Sequence, residues 1–348
     1  MKRSITLLLT TAALFATTLL TTRCERRPLV DAGNTHYVRV YIDEEIKNVT
    51  TGFYNPSLVK PDYATPEMFR VALYDLTTGQ IAAERYLRNR HTDARGVYYD
   101  GYIVAEPGDY RLLTYNFGTE TTIIDQSHLY HEAVARTNEI STVLRHSLSV
   151  RAGGDEERIV YGPDHLFMDR NSGVSIAPRE DVDTLYNAAG DHFTAQSIVL
   201  SYYLQVRVKG AQWISSAAGL ITGMAGSATL NDGQAREEDP VTVYFEMHRG
   251  GLDTNEPFIY TTFHTFGKLP DVNNELSITF DVRTTDGRAL TTTIDITDKF
   301  SEPDAIEHQW ILLDQVLNIP EPEEPEGSGD GFAPGVDDWE DIETDIII

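Results

Sequence analysis

The only cysteine of this 348-residue chain, Cys24, falls just where an uncharged apolar run from Ile5 to Leu20 gives out. Lys2 and Arg3 precede that run, and the small residues Thr21 and Thr22 lie ahead of the thiol. A basic start, a short apolar stretch and a small-residue exit are the parts of a secretory signal rather than of a membrane span. A thiol at the exit is a nucleophile that can be acylated and become the new N-terminus after cleavage. Arg23 stands where Gly, Ala or Ser would be usual before it. The competing reading is a plain signal peptide followed by a free thiol. Each buried methylene contributes about 0.8 kcal/mol, so a multiply acylated Cys24 would be a stable anchor. Residues 1–23 are therefore expected to be a signal peptide and 24–34 a lipidated tether.

Other groupings have the residue types for chemistry but not the spacing. His128 and His131 lie three apart beside Glu132, and on a helix they would share a face toward a metal. No third ligand accompanies them in sequence, and solvent-facing or capping histidines are expected. Asp164 and His165 are a fragment of a catalytic dyad, but no Gly-x-Ser-x-Gly elbow goes with them. They read as a turn with a satisfied side-chain bond. Gly219 to Ser227 is glycine-rich without the Lys-Ser/Thr end of a phosphate loop, so small-residue packing on a sheet is expected. The acidic C-terminal stretch lacks the Asp-x-Asp-x-Asp-Gly spacing of a calcium loop. No catalytic residue, metal ligand or cofactor is assigned.

Composition narrows the classes further. The chain is 41% apolar and 24% charged, which excludes wholesale disorder. Asp and Glu number 54 against 28 Lys and Arg, a formal charge of −26. Such a surface repels phosphate backbones, so nucleic acid is not an expected partner. A single cysteine rules out a disulfide within one chain and any cluster of cysteine ligands.

The elements that would position these residues are strands. Val38, Val40 and Ile42 alternate with Tyr37, Arg39 and Tyr41; Phe69, Val71 and Leu73 alternate with Arg70, Ala72 and Tyr74. Tyr98 to Val104 and Tyr110 to Phe117 flank the break at Pro107-Gly108-Asp109. Ile198 to Val208 and Val241 to Met247 have the same period of two. Ile278, Phe280 and Val282 lead into the Asp286-Gly287 turn, and Leu290 to Ile296 reads as the returning arm. Two segments have helical spacing: His128 to Ile140, and Trp213 to Ala225 with Ile214, Ala217, Ala218, Leu220, Ile221 and Met224. The pattern predicts an all-β chain of two tandem antiparallel β-sandwich domains with few short helices, residues 35–188 and 189–318. Beyond them come a Pro/Glu/Gly-rich linker, 319–330, and an acidic-apolar strand, 331–348. From Ile319 onward there are 11 acidic residues and no basic one. Apolar residues spaced along such a tether suit a peptide that docks into a groove, its own or a neighbour's.

Four stretches in order resemble the fimbrillin superfamily of lipoproteins. They are Cys24-Glu25-Arg26-Arg27-Pro28-Leu29 with Tyr37-Val38-Arg39-Val40; Trp213-Ile214-Ser215-Ser216-Ala217 with Leu220 to Ser227; Thr262 to Gly267 with Leu276 to Val282; and the closing Val336 to Ile342. The chain looks closest to a domain family of unknown function near the minor-fimbrium anchor subunits of type V fimbriae. The resemblance implies transthyretin-like sandwiches, an outer-membrane lipoprotein and fimbrial subunits (fimbrillins) as partners. It also implies assembly by strand donation, in which Phe332, Val336, Trp339 and Ile342 would be the partner-binding side chains of the last strand. That strand could instead complete its own second domain. The expected function is thus a non-enzymatic, lipid-anchored structural protein, a fimbrial anchor or accessory subunit. The alternative is a surface lipoprotein binding glycan or host ligand through its aromatic residues.

Overall fold

A computed structural model describes residues 34–49, 52–117, 119–148, 158–169, 173–269 and 275–322. In chain order the strands of the first half are β1 (Thr35–Ile42), β2 (Met68–Asp75), β3 (Ile81–Leu87), β4 (Asn89–Asp93), β5 (Gly96–Val104), β6 (Gly108–Phe117), β7 (Thr122–Asp125) and β8 (Val134–Thr137). Next come the short helix α1 (Thr142–Ser147), then β9 (Arg158–Tyr161), β10 (Phe167–Met168), β11 (Gly173–Ile176), β12 (Asp183–Thr184) and β13 (Phe193–Ser197). The remainder holds β14 (Leu200–Lys209), β15 (Ile214–Ala225), β16 (Ser227–Thr229), β17 (Pro240–Gly250), β18 (Phe258–Thr265), β19 (Ser277–Thr284) and β20 (Ala289–Asp295). Helix α2 (Pro303–His308) and the last strand, β21 (Trp310–Asn318), close it. The chain is all-β with few helices, as its period-two patterning predicts.

The first sheet runs β3-β2-β6-β10-β13-β1-β5-β4, with β11 on β6 and β12 on β1. Its end strands β3 and β4 are separated only by Arg88, so the chain turns a corner there and the sheet folds over on itself. Val38 and Val40 from β1 meet Phe69, Val71 and Leu73 from β2 and Tyr99 and Ile103 from β5 in the enclosed core. Phe69 and Tyr99 pack with ring centroids 5.1 Å apart. β2 and β6 are buried on their other face too. There Ala72, Tyr74, Leu113 and Tyr115 meet Tyr130 and Ala135, and residues of the second half such as Ala228, Leu230 and Phe266.

The second sheet runs β20-β19-β15-β17-β18-β14-β21, with β9 beside β17. It encloses a larger core that includes Leu204, Val206, Ile221, Val243, Phe263, Phe280 and Ile311. The halves interlock rather than follow one another as beads. β9 pairs in parallel with Val241 to Tyr244 of β17. β16 pairs with β8, completing a three-stranded sheet with β7. β12 and β13 both run parallel to β1, so the first sheet extends past the expected division at 188/189 and sheet membership changes at Ile198–Val199.

Two helical expectations are overturned. Ile214 to Ala225 is the twelve-residue strand β15. Its register slips between Ile214 and Ser216 against β19 and between Ile221 and Met224 against β17. Each bulge adds a residue to the alternation and turns a spacing of two into three, which imitates helical periodicity. Gly223, at φ +74°, supplies the left-handed backbone of the second bulge. His128 to Ile140 is a turn followed by β8, whose Ala135 and Thr137 alternate inward with Ala133 just before it. The turn's His and Leu residues fall at helical spacing by coincidence of loop length.

Candidate functional site

The outer face of β4, β5 and β1 gathers aromatic and charged side chains where a solvated sheet would ordinarily carry Thr, Lys or Glu. Strand alternation sends Val38 and Val40 inward and therefore Tyr37, Arg39 and Tyr41 outward. On β5 the same alternation sends out Tyr98, Asp100 and Tyr102. Register sets Tyr37 opposite Tyr102, Arg39 opposite Asp100, and Tyr41 opposite Tyr98. His91 of β4 lies opposite Tyr98 on its other side.

Arg39 is the centre of this face. Its guanidinium lies 4.1 Å from the Tyr98 ring centroid. Its Nη1 donates to the Tyr41 hydroxyl at 3.1 Å and its Nη2 to the Tyr37 hydroxyl at 3.2 Å. Those hydroxyls in turn donate to carboxylates, Tyr37 to Asp100 and Tyr41 to Asp93, each at 2.7 Å. The result is a relay of two carboxylates and two phenols about one cation. Asp93 is held below the usual carboxylate range by the Tyr41 hydroxyl and the Arg95 backbone N–H. Burial, then the Asp100 bond, raises the Tyr37 phenol. Burial followed by the nearby Arg39 keeps His192 low, and hence neutral at pH 7.

Rings continue across the face. His91 stacks on Tyr98 at 5.3 Å, and His192 lies 5.9 Å from Tyr41 and 5.2 Å from Tyr186. Arg95 lies 4.5 Å from the Tyr41 ring and pairs with Asp191 at 2.7 Å. Tyr102 and Tyr186 are 56% and 46% exposed, so ring faces are open to solvent while the polar atoms beneath them are held. Such a platform can stack against flat groups or against the C–H face of a ring; the donors of Arg39, Tyr37 and Tyr41 are already engaged.

The residues that looked catalytic do other work. Asp164 accepts from the Thr121 hydroxyl at 2.9 Å and the Thr122 backbone N–H at 3.0 Å, which fixes the turn before β7. His165 packs against His264 instead, ring centroids 4.6 Å apart, and His264 Nδ1 lies 2.9 Å from Ser201 Oγ. Ser201 is fully buried and unreachable as a nucleophile. Burial pushes His165 down to about 3, helped by His264, and burial pushes His264 down to about 4. His128 and His131 lie exposed in a turn, where His131 Nε2 meets Arg111 at 2.8 Å.

Sheet edges matter for assembly. Among the described residues β21 has a strand partner on one side only, β14, with which it pairs in parallel. Val316 on β21 is 47% exposed. Cys24 and the tail residues Phe332, Val336, Trp339 and Ile342 lie outside the described residues. The aromatic face was legible only in part. Tyr37, Arg39 and Tyr41 share a face by period alone, but the cross-strand match to Tyr98, Asp100 and Tyr102 needs the register.

The profile of a domain of unknown function (DUF5119) matches residues 59–246. A candidate fimbrium anchoring subunit, Fim4B, of Bacteroides ovatus is 24% identical over 251 residues, covering 72% of this chain. The chain spans 63% of that relative's length. A candidate adhesin from Bacteroides ovatus has a solved structure with a TM-score of 0.55, at 21% identity, over 87% of this chain and 99% of that one. That likeness establishes a shared fold. The fimbrial anchor protein Mfa2 from Porphyromonas gingivalis aligns over 80% of this chain and 88% of its own, at 12% identity and a TM-score of 0.41, too loosely to carry an argument.

Proposed function

Given that the chain belongs to the DUF5119 family, we propose that it is a lipid-anchored structural subunit of a cell-surface fimbria, assembling with other subunits by strand pairing. The observation that carries the reading is the alignment, over most of this chain, with a relative named for anchoring a fimbrium. The relatives are fimbrial and adhesin-like proteins, which supports a non-enzymatic role at the cell surface.

Physical features support the finer parts. Cys24 sits at the exit of a secretory signal, and an acylated thiol there would hold the chain in the outer membrane. Among the described residues β21 is an edge strand, and it runs up to the Pro/Glu linker. An edge of that kind offers main-chain donors and acceptors to an incoming strand, and alternate side chains fill the pockets beside it. The tail's Phe332, Val336, Trp339 and Ile342 would do the same in a neighbour.

Growth of the native cells with labelled palmitate tests the anchor. The wild-type chain should take up label and fractionate with outer membranes, and Cys24→Ser should lose both. An unlabelled wild-type chain recovered in the soluble fraction would contradict the lipid part of the proposal.

A further inference from the structure

We propose that the cleft where β1 and β6 begin, together with the exposed Tyr186 ring at its mouth, binds an uncharged oligosaccharide. The inference stands apart from the fimbrial reading. It rests on the cleft's size, its charge balance, one unpartnered buried nitrogen and the exposed Tyr186 ring at its mouth.

The cleft encloses about 630 Å³. That lies within the roughly 300–1,000 Å³ of ordinary ligand sites. Val174 and Ile176 of β11 contribute apolar wall, and Leu76 adds an exposed apolar side chain. The charges lining it cancel, with Asp109 and Asp183 against Arg111 and Arg179. Arg179 pairs with Asp183 at 3.1 Å. An anion gains no net attraction there, and neither does a cation. Groups that both donate and accept, as sugar hydroxyls do, find partners of both kinds in one place.

His36 gives an independent reason to expect a ligand. It is 1% exposed and lines the cleft. Its Nε2 lies 3.2 Å from the Ala105 carbonyl oxygen, and its Nδ1 has no hydrogen-bond partner. With Nε2–H donating to the carbonyl, Nδ1 is left as a buried acceptor. Buried polar atoms are normally satisfied, so a small shift of the cleft wall that opens Nδ1 would let a ligand hydroxyl donate to it.

The mouth explains why the ligand would be extended. Tyr186 lines the cleft, is 46% exposed and packs on His192, whose other ring neighbour, Tyr41, is buried at 4% and backs the mouth. A saccharide presents hydroxyls at its edge and C–H groups on its face. One sugar in the cleft would use the first, and the next ones, passing over Tyr186, would stack by the second.

The test is binding of the full chain, purified in detergent, to immobilised oligosaccharides: neutral hexose and N-acetylhexosamine chains beside sialylated and sulfated ones. The proposal expects neutral chains to bind with little salt dependence. Tyr186→Ala and Asp109→Asn should each weaken that binding about tenfold or more with the melting temperature unchanged. Three results would overturn it: an array with no binding, a preference for charged glycans that salt abolishes, or variants that bind as well as wild type.

Discussion

Arg70 lies 6% exposed on the face of β2 that the three-stranded sheet covers. Its Nε donates to Glu84 at 2.9 Å, and its Nη1 to the Tyr115 hydroxyl at 2.6 Å and the Ser127 hydroxyl at 2.8 Å. Removing the buried cation leaves the buried Tyr115 hydroxyl without its donor, whereas Glu84, 44% exposed, is taken up by water, so Arg70→Ala should cost about 1–3 kcal/mol in urea unfolding. Arg70→Lys should restore little of it, because the three donors of an ammonium sit on one nitrogen and cannot span acceptors that the guanidinium reaches from Nε, Nη1 and Nη2. The pair His165 and His264 sets a pH dependence of definite sign. Burial puts their folded values near 3 and 4, below the ordinary 6.5 of the unfolded chain. The unfolded state therefore binds more protons below pH 6.5. Stability is fully present above that pH and falls as pH drops toward 4. For His264 alone the loss by pH 4.5 is on the order of 2 kcal/mol. A thermal-melt series from pH 7.5 to 4.5 should show the decline, and His165→Leu should roughly halve it, leaving the part that His264 contributes.

At the scale of elements, what could be read in the sequence depended on whether the period stayed intact. β1, β17 and the β19–β20 hairpin keep strict alternation, and the Asp286-Gly287 turn has its left-handed glycine at φ +84°. They were legible from residue types alone. β15 was not, because two bulges shift its phase and counterfeit a helix. The same strand makes a prediction. Gly219 lies opposite Phe245, and a Cβ there would fall 2.1 Å from Phe245 Cε2. Gly219→Ala should destabilise by roughly 1–3 kcal/mol, since a packed ring has nowhere to move. Unfolding with guanidinium would read this directly. The aromatic face obeys similar logic: half of it is visible as Tyr37-x-Arg39-x-Tyr41, and the other half appears only once β5 is laid beside β1.

For the whole molecule, the pairings between halves were beyond local pattern. β9 with β17 and β16 with β8 join segments far apart in sequence, and nothing in either segment names its partner. Loops also cross: the Asn48 side chain donates to the Ser201 carbonyl, and Trp310 Nε1 donates to the Gly52 carbonyl. The two sheets should therefore unfold together, giving one transition by fluorescence and circular dichroism alike. The proposed role asks something different of the tail. It must be dispensable to that folded unit and necessary to partners. The direct measurement compares the full chain with one lacking residues 330–348, each used to capture fimbrial subunits from the native cells, with subunits identified by mass spectrometry. The account predicts that both melt alike and that only the full chain retains fimbrial subunits. Equal capture by the truncated chain, no fimbrial subunit on either, or unfolding of the truncated chain would contradict it.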